Sequence, residues 1–262
     1  MIGGSPFRFS DATAGPNRLR ILLLGDSTTE AKFPKLLSPD EPQLEDLVRI
    51  RLAGETNLPP VDVVNLGLSG DTIRRLLDSG RYERLVAGHS SADYVFIRYG
   101  INDHAKREDF EINFPKDFHE LIARLRRDHP GATLIPTTVI PFSNQETSAR
   151  INRLVRLIAN KEKLPLFDIY PAYESALKNG PNMLNYRRYS LSKVPEQLRH
   201  IANPHVHTGK DPQIVVLDNR LDPHFGHLPG WYSDRHPNLA GYHVIAAETA
   251  RFLAPMLASK NP

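Results

Sequence analysis

The sequence predicts an α/β fold in three layers, a parallel sheet with helices on both faces. Three observations carry that prediction. Short aliphatic and β-branched runs alternate with amphipathic helical stretches. The runs are apolar almost throughout, as strands covered on both faces must be. Polar, glycine-bearing loops follow the first three of them.

Residues 20–25, Arg-Ile-Leu-Leu-Leu-Gly, read as a buried first strand. Over residues 42–53, Leu44, Leu47, Val48 and Leu52 recur at helical spacing. Residues 61–66 are the expected second strand and 72–87 the helix after it. The third strand is expected at 94–99. Residues 115–128 place Phe118, Leu121, Ile122 and Leu125 on one helical face, and His129-Pro130-Gly131 ends it. The fourth strand is expected at 133–140, with Pro136 marking an irregular or edge position. A helix at 147–161 and a short fifth strand at 166–169 follow. Residues 238–257 form the closing helix, with Leu239, Tyr242, Ile245 and Ala246 on one side. From about 178 to 231 the periodicity dissolves into a segment rich in proline and histidine. So long an irregular stretch usually serves a site as a lid or binding loop. Residues 1–262 are therefore read as one domain carrying an insert.

The totals exclude several classes. Lys and Arg exceed Asp and Glu by 33 to 30, a net charge of +3. The excess is scattered along helices (Arg124, Arg126, Arg127; Arg150, Arg153, Arg156), so the dense basic face needed for a nucleic-acid partner is missing. With no cysteine, disulfides, thiolate metal sites and cysteine nucleophiles are all excluded. No apolar run approaches the roughly 18 residues of a membrane span. The opening Met-Ile-Gly-Gly-Ser-Pro-Phe-Arg lacks the basic-then-apolar order of a signal peptide, which favours the cytoplasm over export with a trimmed signal and leaves location open.

The chemistry gathers at strand ends. The first strand runs into Gly25-Asp26-Ser27-Thr28-Thr29, and open α/β sheets bind ligands just beyond the carboxyl ends of their strands. Taken alone, Gly-Asp-Ser is a turn with a helix cap. The second strand, however, ends in Asn65-Leu-Gly-Leu-Ser-Gly70-Asp71 and the third in Gly100-Ile-Asn102-Asp103. Acyl transfer needs donors aimed at a developing oxyanion. The Ser27 N–H, the Gly70 N–H and the Asn102 amide supply such a set. Late in the chain, Trp231-Tyr-Ser-Asp234-Arg-His236-Pro237-Asn238 precedes the last helix. A neutral imidazole there suits the base of a Ser-His pair.

In order and spacing, these four blocks resemble those of the SGNH hydrolase superfamily, the GDSL-like lipases and esterases. The resemblance runs from Leu22 to about Leu257, the insert excepted. It implies a flavodoxin-like fold with a five-stranded parallel sheet, Ser27 as nucleophile and His236 as base. It further implies an oxyanion hole of Ser27, Gly70 and Asn102, and no cofactor or metal. One departure stands out: the family usually has an acid three residues before the histidine, where this chain has Ser233. Asp234 is the expected third member. A backbone carbonyl or a carboxylate from the insert, such as Asp222, would serve the same end.

Nothing in the sequence resembles a long acyl channel. The expected reaction is hydrolysis of a short acyl ester, acetyl above all, on a carbohydrate or other polar alcohol. An acyltransferase, lysophospholipase or thioesterase on the same site is the alternative. Arg98, Tyr99, His104 and Trp231 are expected to touch substrate, and Tyr186, Arg187, Arg188 and Tyr189 are candidates to line its pocket. A more distant alternative is a metal-dependent hydrolase using His200, His205, His207, His224 and His227, with Asp211, Asp218 or Asp222. The sequence carries no signal for oligomeric state.

Overall fold

The computed structural model describes residues 18–89, 91–180 and 182–259. The N-terminal stretch read for a signal peptide, and Pro181 of the insert, lie outside the described residues. Four parallel strands form the central sheet: β1 (Leu19–Gly25), β2 (Val61–Asn65), β3 (Tyr94–Arg98) and β4 (Thr133–Pro136). Their spatial order is β2-β1-β3-β4, the doubly wound order with its switch point beside β1. Both faces are covered because both sets of alternating side chains are apolar. Leu22 and Leu24 of β1 pack with Val95 and Ile97 against the helices Phe110–Asp128 and Gln145–Glu162. Ile21 and Leu23 face the other way, with Tyr94 and Phe96, against Leu44–Ala53 and Leu239–Ala258.

Several expected boundaries move. The fifth strand is reduced to one parallel bridge, Thr137 with Phe167. Pro136 and Pro165 each lack an N–H for that ladder, and the chain enters the helix Tyr170–Lys178 at once. The helix expected at 72–87 breaks into an α-helix, Ile73–Asp78, and a π-helical stretch, Tyr82–Ala87. Between them Gly80 adopts φ +70°, a conformation open to glycine at little cost. The helix expected from Pro115 begins five residues earlier, at Phe110. Phe110 and Phe114 stack at 4.9 Å, and that burial outweighs the hydrogen bond Pro115 cannot donate.

The insert is not irregular throughout. It contains a second, antiparallel sheet in the order β5-β7-β6, formed by β5 (Arg187–Ser190), β6 (Val206–His207) and β7 (Gln213–Val216). Tyr189, Val194, Ala202, Ile214, Val216, Leu221, Phe225 and Trp231 give it a core of its own. Strands of two to four residues are too short for alternation to announce them. At the base of this unit the buried Arg187 forks onto Asp222, Nε to Oδ1 at 2.7 Å and Nη2 to Oδ2 at 2.6 Å. Trp231 Nε1 donates to the same carboxylate at 2.7 Å.

Candidate active site

β1 delivers the chain to Gly25, where any Cβ would sit 2.1 Å from Thr29 Oγ1 and 2.9 Å from the Arg98 carbonyl oxygen. Only glycine passes that crossing. Asp26 then caps the short helix Ser27–Glu30, its Oδ1 accepting from Thr28 N at 2.9 Å. Burial pushes the Asp26 carboxyl above its usual range, opposed by the Thr28 hydrogen bonds and the nearby Arg98 charge. Ser27 opens that helix, its side chain facing a cleft. Its N–H makes no hydrogen bond to protein among the described residues.

The loop after β2 is tied to this turn. Asn65 Nδ2 donates to Thr29 O at 2.7 Å, and Ser69 N donates to Glu30 Oε2 at 2.6 Å. Gly67 lies so close that a Cβ would meet Glu30 N at 2.5 Å. Gly70 takes φ +74°, and Lys106 Nζ holds its carbonyl at 2.6 Å. The Gly70 N–H is left without a protein acceptor among the described residues. After β3, Asp103 accepts from Gly100 N at 3.0 Å and Ile73 N at 2.9 Å, joining the second and third loops. Burial pushes the Asp103 carboxyl up to about 7. Asn102 lines the cleft, and its buried Nδ2 has no protein partner among the described residues. Three donors therefore stand unused around Ser27, the condition for receiving an oxyanion.

The loop before the last helix completes the group. His236 Nε2 lies 2.8 Å from Ser27 Oγ, and Nδ1 lies 2.6 Å from Asp234 Oδ1. That oxygen also accepts the His236 N–H at 3.0 Å, so a carboxylate only two residues away folds back onto the ring. Burial raises the Asp234 carboxyl, but the His236 hydrogen bonds and the Arg188 charge outweigh it and hold it below the usual range. Arg188 Nε lies 2.7 Å from Asp234 Oδ2. Its N–H does not point along that line, so the contact is ionic without being a hydrogen bond. Tyr186 stacks on the imidazole at 5.4 Å and 10°, and Phe142 meets it edge-on at 4.7 Å. Tyr186 N donates to His236 O at 3.1 Å, stitching the insert to the histidine loop.

Ser27, Gly70, Asn102 and His236 thus line one cleft of about 300 Å³, joined by Ala31, Lys32, Phe33, Ser69, Tyr186, Arg188 and Tyr242. A second void, about 20 Å³, lies between the sheet and the closing helix and has no room for a substrate.

The residues expected to touch substrate are elsewhere. Arg98 is buried and donates Nη2 to Thr28 O at 2.5 Å; it supports the Gly25–Thr29 turn from below. Tyr99 is fully buried with its hydroxyl 3.2 Å from Asp71 Oδ2. Trp231 is in the insert's core, and His104 packs edge-on to Phe110 outside the cleft. Asp222, the alternative acid, is committed to Arg187. Along β5, period two sorts the remaining candidates: Arg187 and Tyr189 turn into the insert, while Tyr186 and Arg188 face Ser27. The metal reading required converging ligands, and among the described residues no three His, Asp or Glu side chains converge. Lys32, Phe33 and Phe142 were not foreseen, since no local pattern marks a residue brought in by a neighbouring loop.

A Ser–His–carboxylate line beside free donors, at the carboxyl edge of a doubly wound parallel sheet, is the constellation of a serine-type acyl hydrolase. The sequence model of the GDSL-like lipase/acylhydrolase family matches residues 23–207. The protein belongs to that family and is an esterase. The match ends before Asp234 and His236, whose placement is read from geometry alone. No curated protein matches in sequence. Among solved structures, an α/β hydrolase from the metagenome of Lake Arreo, Spain, is 23% identical, with 89% of this chain and 94% of that chain covered and a TM-score of 0.54. An acetylxylan esterase from Geobacillus stearothermophilus is 20% identical over 90% and 94%, TM-score 0.56. A lipase/acylhydrolase from Enterococcus faecalis is 18% identical over 93% and 98%, TM-score 0.55. At such identities the likeness is one of fold. Among the described residues no helix is long and apolar enough to cross a membrane.

Proposed function

We propose that the protein is a serine esterase removing a short acyl group, acetyl foremost, from a carbohydrate or other polar alcohol. The observation that carries the reading is the unbroken line Ser27 Oγ, His236, Asp234, at 2.8 and 2.6 Å. In this reading His236 Nε2 takes the Ser27 proton as Oγ attacks the ester carbon. The developing oxyanion is held by the N–H groups of Ser27 and Gly70 and by Asn102 Nδ2. Asp234 holds the Nδ1–H tautomer and stabilises the imidazolium. Imidazolium then protonates the departing alcohol, and a water activated by the same ring releases the acid.

A short acyl group suits a cleft whose wall is largely polar: Ser27, Lys32, Ser69, Asn102, Arg188 and His236 leave no continuous apolar groove for a long chain. The fold shared with an acetylxylan esterase is consistent with that choice. The test is turnover of p-nitrophenyl acetate against the octanoate, with Ser27→Ala beside the wild type. Acetate preferred, and activity lost in Ser27→Ala, is the expected outcome. Octanoate preferred would overturn the short-acyl assignment, and activity surviving in Ser27→Ala would overturn the serine mechanism.

A further inference from the structure

Two cations and no carboxylate line the cleft beside Ser27, and we infer that the alcohol it accepts carries an anionic oxyacid group, a carboxylate or a phosphate. The inference rests on the esterase reading and adds the charge of the substrate. Apart from the base His236, the ionisable side chains with charge at neutral pH on the cleft wall are Lys32 and Arg188, both cations. They come from distant parts of the chain. Lys32 begins the helix Lys32–Leu37, immediately after the nucleophile's turn, while Arg188 comes from β5 of the insert. Phe33 brings them to one place, its ring centroid 6.0 Å from the Arg188 guanidinium carbon.

Both cations keep their donors free. Lys32 is exposed and has no ion-pair or hydrogen-bond partner among the described residues. The next lysine of the same helix, Lys35, pairs with Glu45 at 2.8 Å outside the cleft. Arg188 turns Nε to Asp234, but neither of its Nη nitrogens donates to protein among the described residues. A guanidinium edge with two free N–H groups, beside a point-charge ammonium, is the donor set that takes an oxyacid in a fork.

The nearby acids do not cancel this. Glu30 accepts both the backbone N–H and the hydroxyl of Ser69. Asp234 faces His236 and the Nε side of Arg188. Neither carboxylate lines the cleft. A pair of like charges on one cleft wall raises the local concentration of an approaching anion.

The experiment compares three acetyl esters of one phenol frame: 4-acetoxybenzoate, 4-acetoxyphenyl phosphate and the neutral methyl 4-acetoxybenzoate. Each kcat/KM is divided by the ester's own uncatalysed hydrolysis rate at the same pH. At low ionic strength at least one anionic ester should exceed the neutral one by about tenfold, equivalent to about 1.4 kcal/mol. The advantage should shrink as salt is raised to about 0.5 M, where exposed charges are screened. Whichever anion leads identifies the oxyacid. Lys32→Glu should bring the anionic-to-neutral ratio to one or below, and the control Lys35→Met should leave it unchanged. A wild-type ratio of one or less for both anions overturns the inference, as does a ratio that Lys32→Glu does not move. Turnover of none of the three would bring down the esterase reading itself, and the charge inference with it.

Discussion

Replacing Asp234 with Asn isolates the one charge that orients the base. The amide keeps the side chain's size and an oxygen able to accept the His236 N–H, now at 3.0 Å. It removes the negative charge facing Nδ1 at 2.6 Å. As Ser27 attacks, the ring becomes imidazolium, and the two charge centres stand about 4 Å apart, worth about 4 kcal/mol at an effective dielectric of about 20. Their burial, with side chains 11% and 6% exposed, keeps water from screening the pair further. Arg188 at 2.7 Å from the other oxygen offsets part of the field, leaving about 3 kcal/mol. At about 1.4 kcal/mol per decade, kcat should fall by about 10² to 10³. An Asn that turns its NH₂ toward the ring would favour the wrong tautomer and deepen the loss. KM should hold, because Asp234 does not line the cleft. The assay is steady-state hydrolysis of p-nitrophenyl acetate by wild type and variant, with circular dichroism as the check on folding. The His236 hydrogen bonds and the Arg188 charge hold the Asp234 carboxyl below the usual range despite its burial. A folded variant with kcat within about threefold of wild type, less than ~1 kcal/mol, would refute the reasoning.

Other outcomes follow from the same geometry. Asn102→Ala removes one oxyanion donor and should lower kcat by about 10² to 10³ with little change in thermal midpoint, measured by the same hydrolysis and by calorimetry. Asp222→Asn leaves the buried Arg187 guanidinium without its counter-charge; removing one partner of such a pair costs about 3–5 kcal/mol. It should appear as early proteolysis within residues 182–231, and a variant cleaved no faster than wild type would contradict it. Asp103 carries a stability signature with a definite sign. Burial pushes its carboxyl up to about 7 in the folded chain, against the ordinary 3.8 of an exposed carboxyl in the unfolded chain. Across that window the folded chain holds a proton the unfolded chain has lost, so this group's contribution is complete at low pH and declines as pH rises toward 7. Urea unfolding at several pH values should show a smaller decline in Asp103→Asn than in wild type.

Much of the site was legible because acyl transfer places its groups at strand ends, and strand ends show in a sequence as apolar runs stopping at glycine. Ser27, Gly70 and Asn102 follow β1, β2 and β3 at those points, and the structure brings them around one cleft with His236. The substrate contacts were not legible in the same way. Arg98 and Tyr99 stand just before the Gly100–Asp103 loop in sequence, but both side chains are buried, Arg98 against Thr28 and Tyr99 against Asp71. The insert misled for the opposite reason. Its strands are too short for periodicity, and its core becomes visible only when Tyr189, Ile214 and Trp231 are brought together.

The sequence by itself determined the parallel α/β layout, the Gly25–Thr29 turn, the placing of Ser27, Gly70 and Asn102 at strand ends, and the histidine before the last helix. Each of these rests on local pattern, on residue type and on spacing along one strand or loop. Only the tertiary structure decided which group orients His236. Asp234 was the expected partner, with Asp222 and a backbone carbonyl as alternatives, because a carboxylate can serve the imidazole only where the backbone turns it onto Nδ1. The loop that places Asp234 at 2.6 Å is held by contacts with Tyr186 and Arg188 of the insert. Those contacts join residues some fifty positions apart, and no local pattern in the sequence records them.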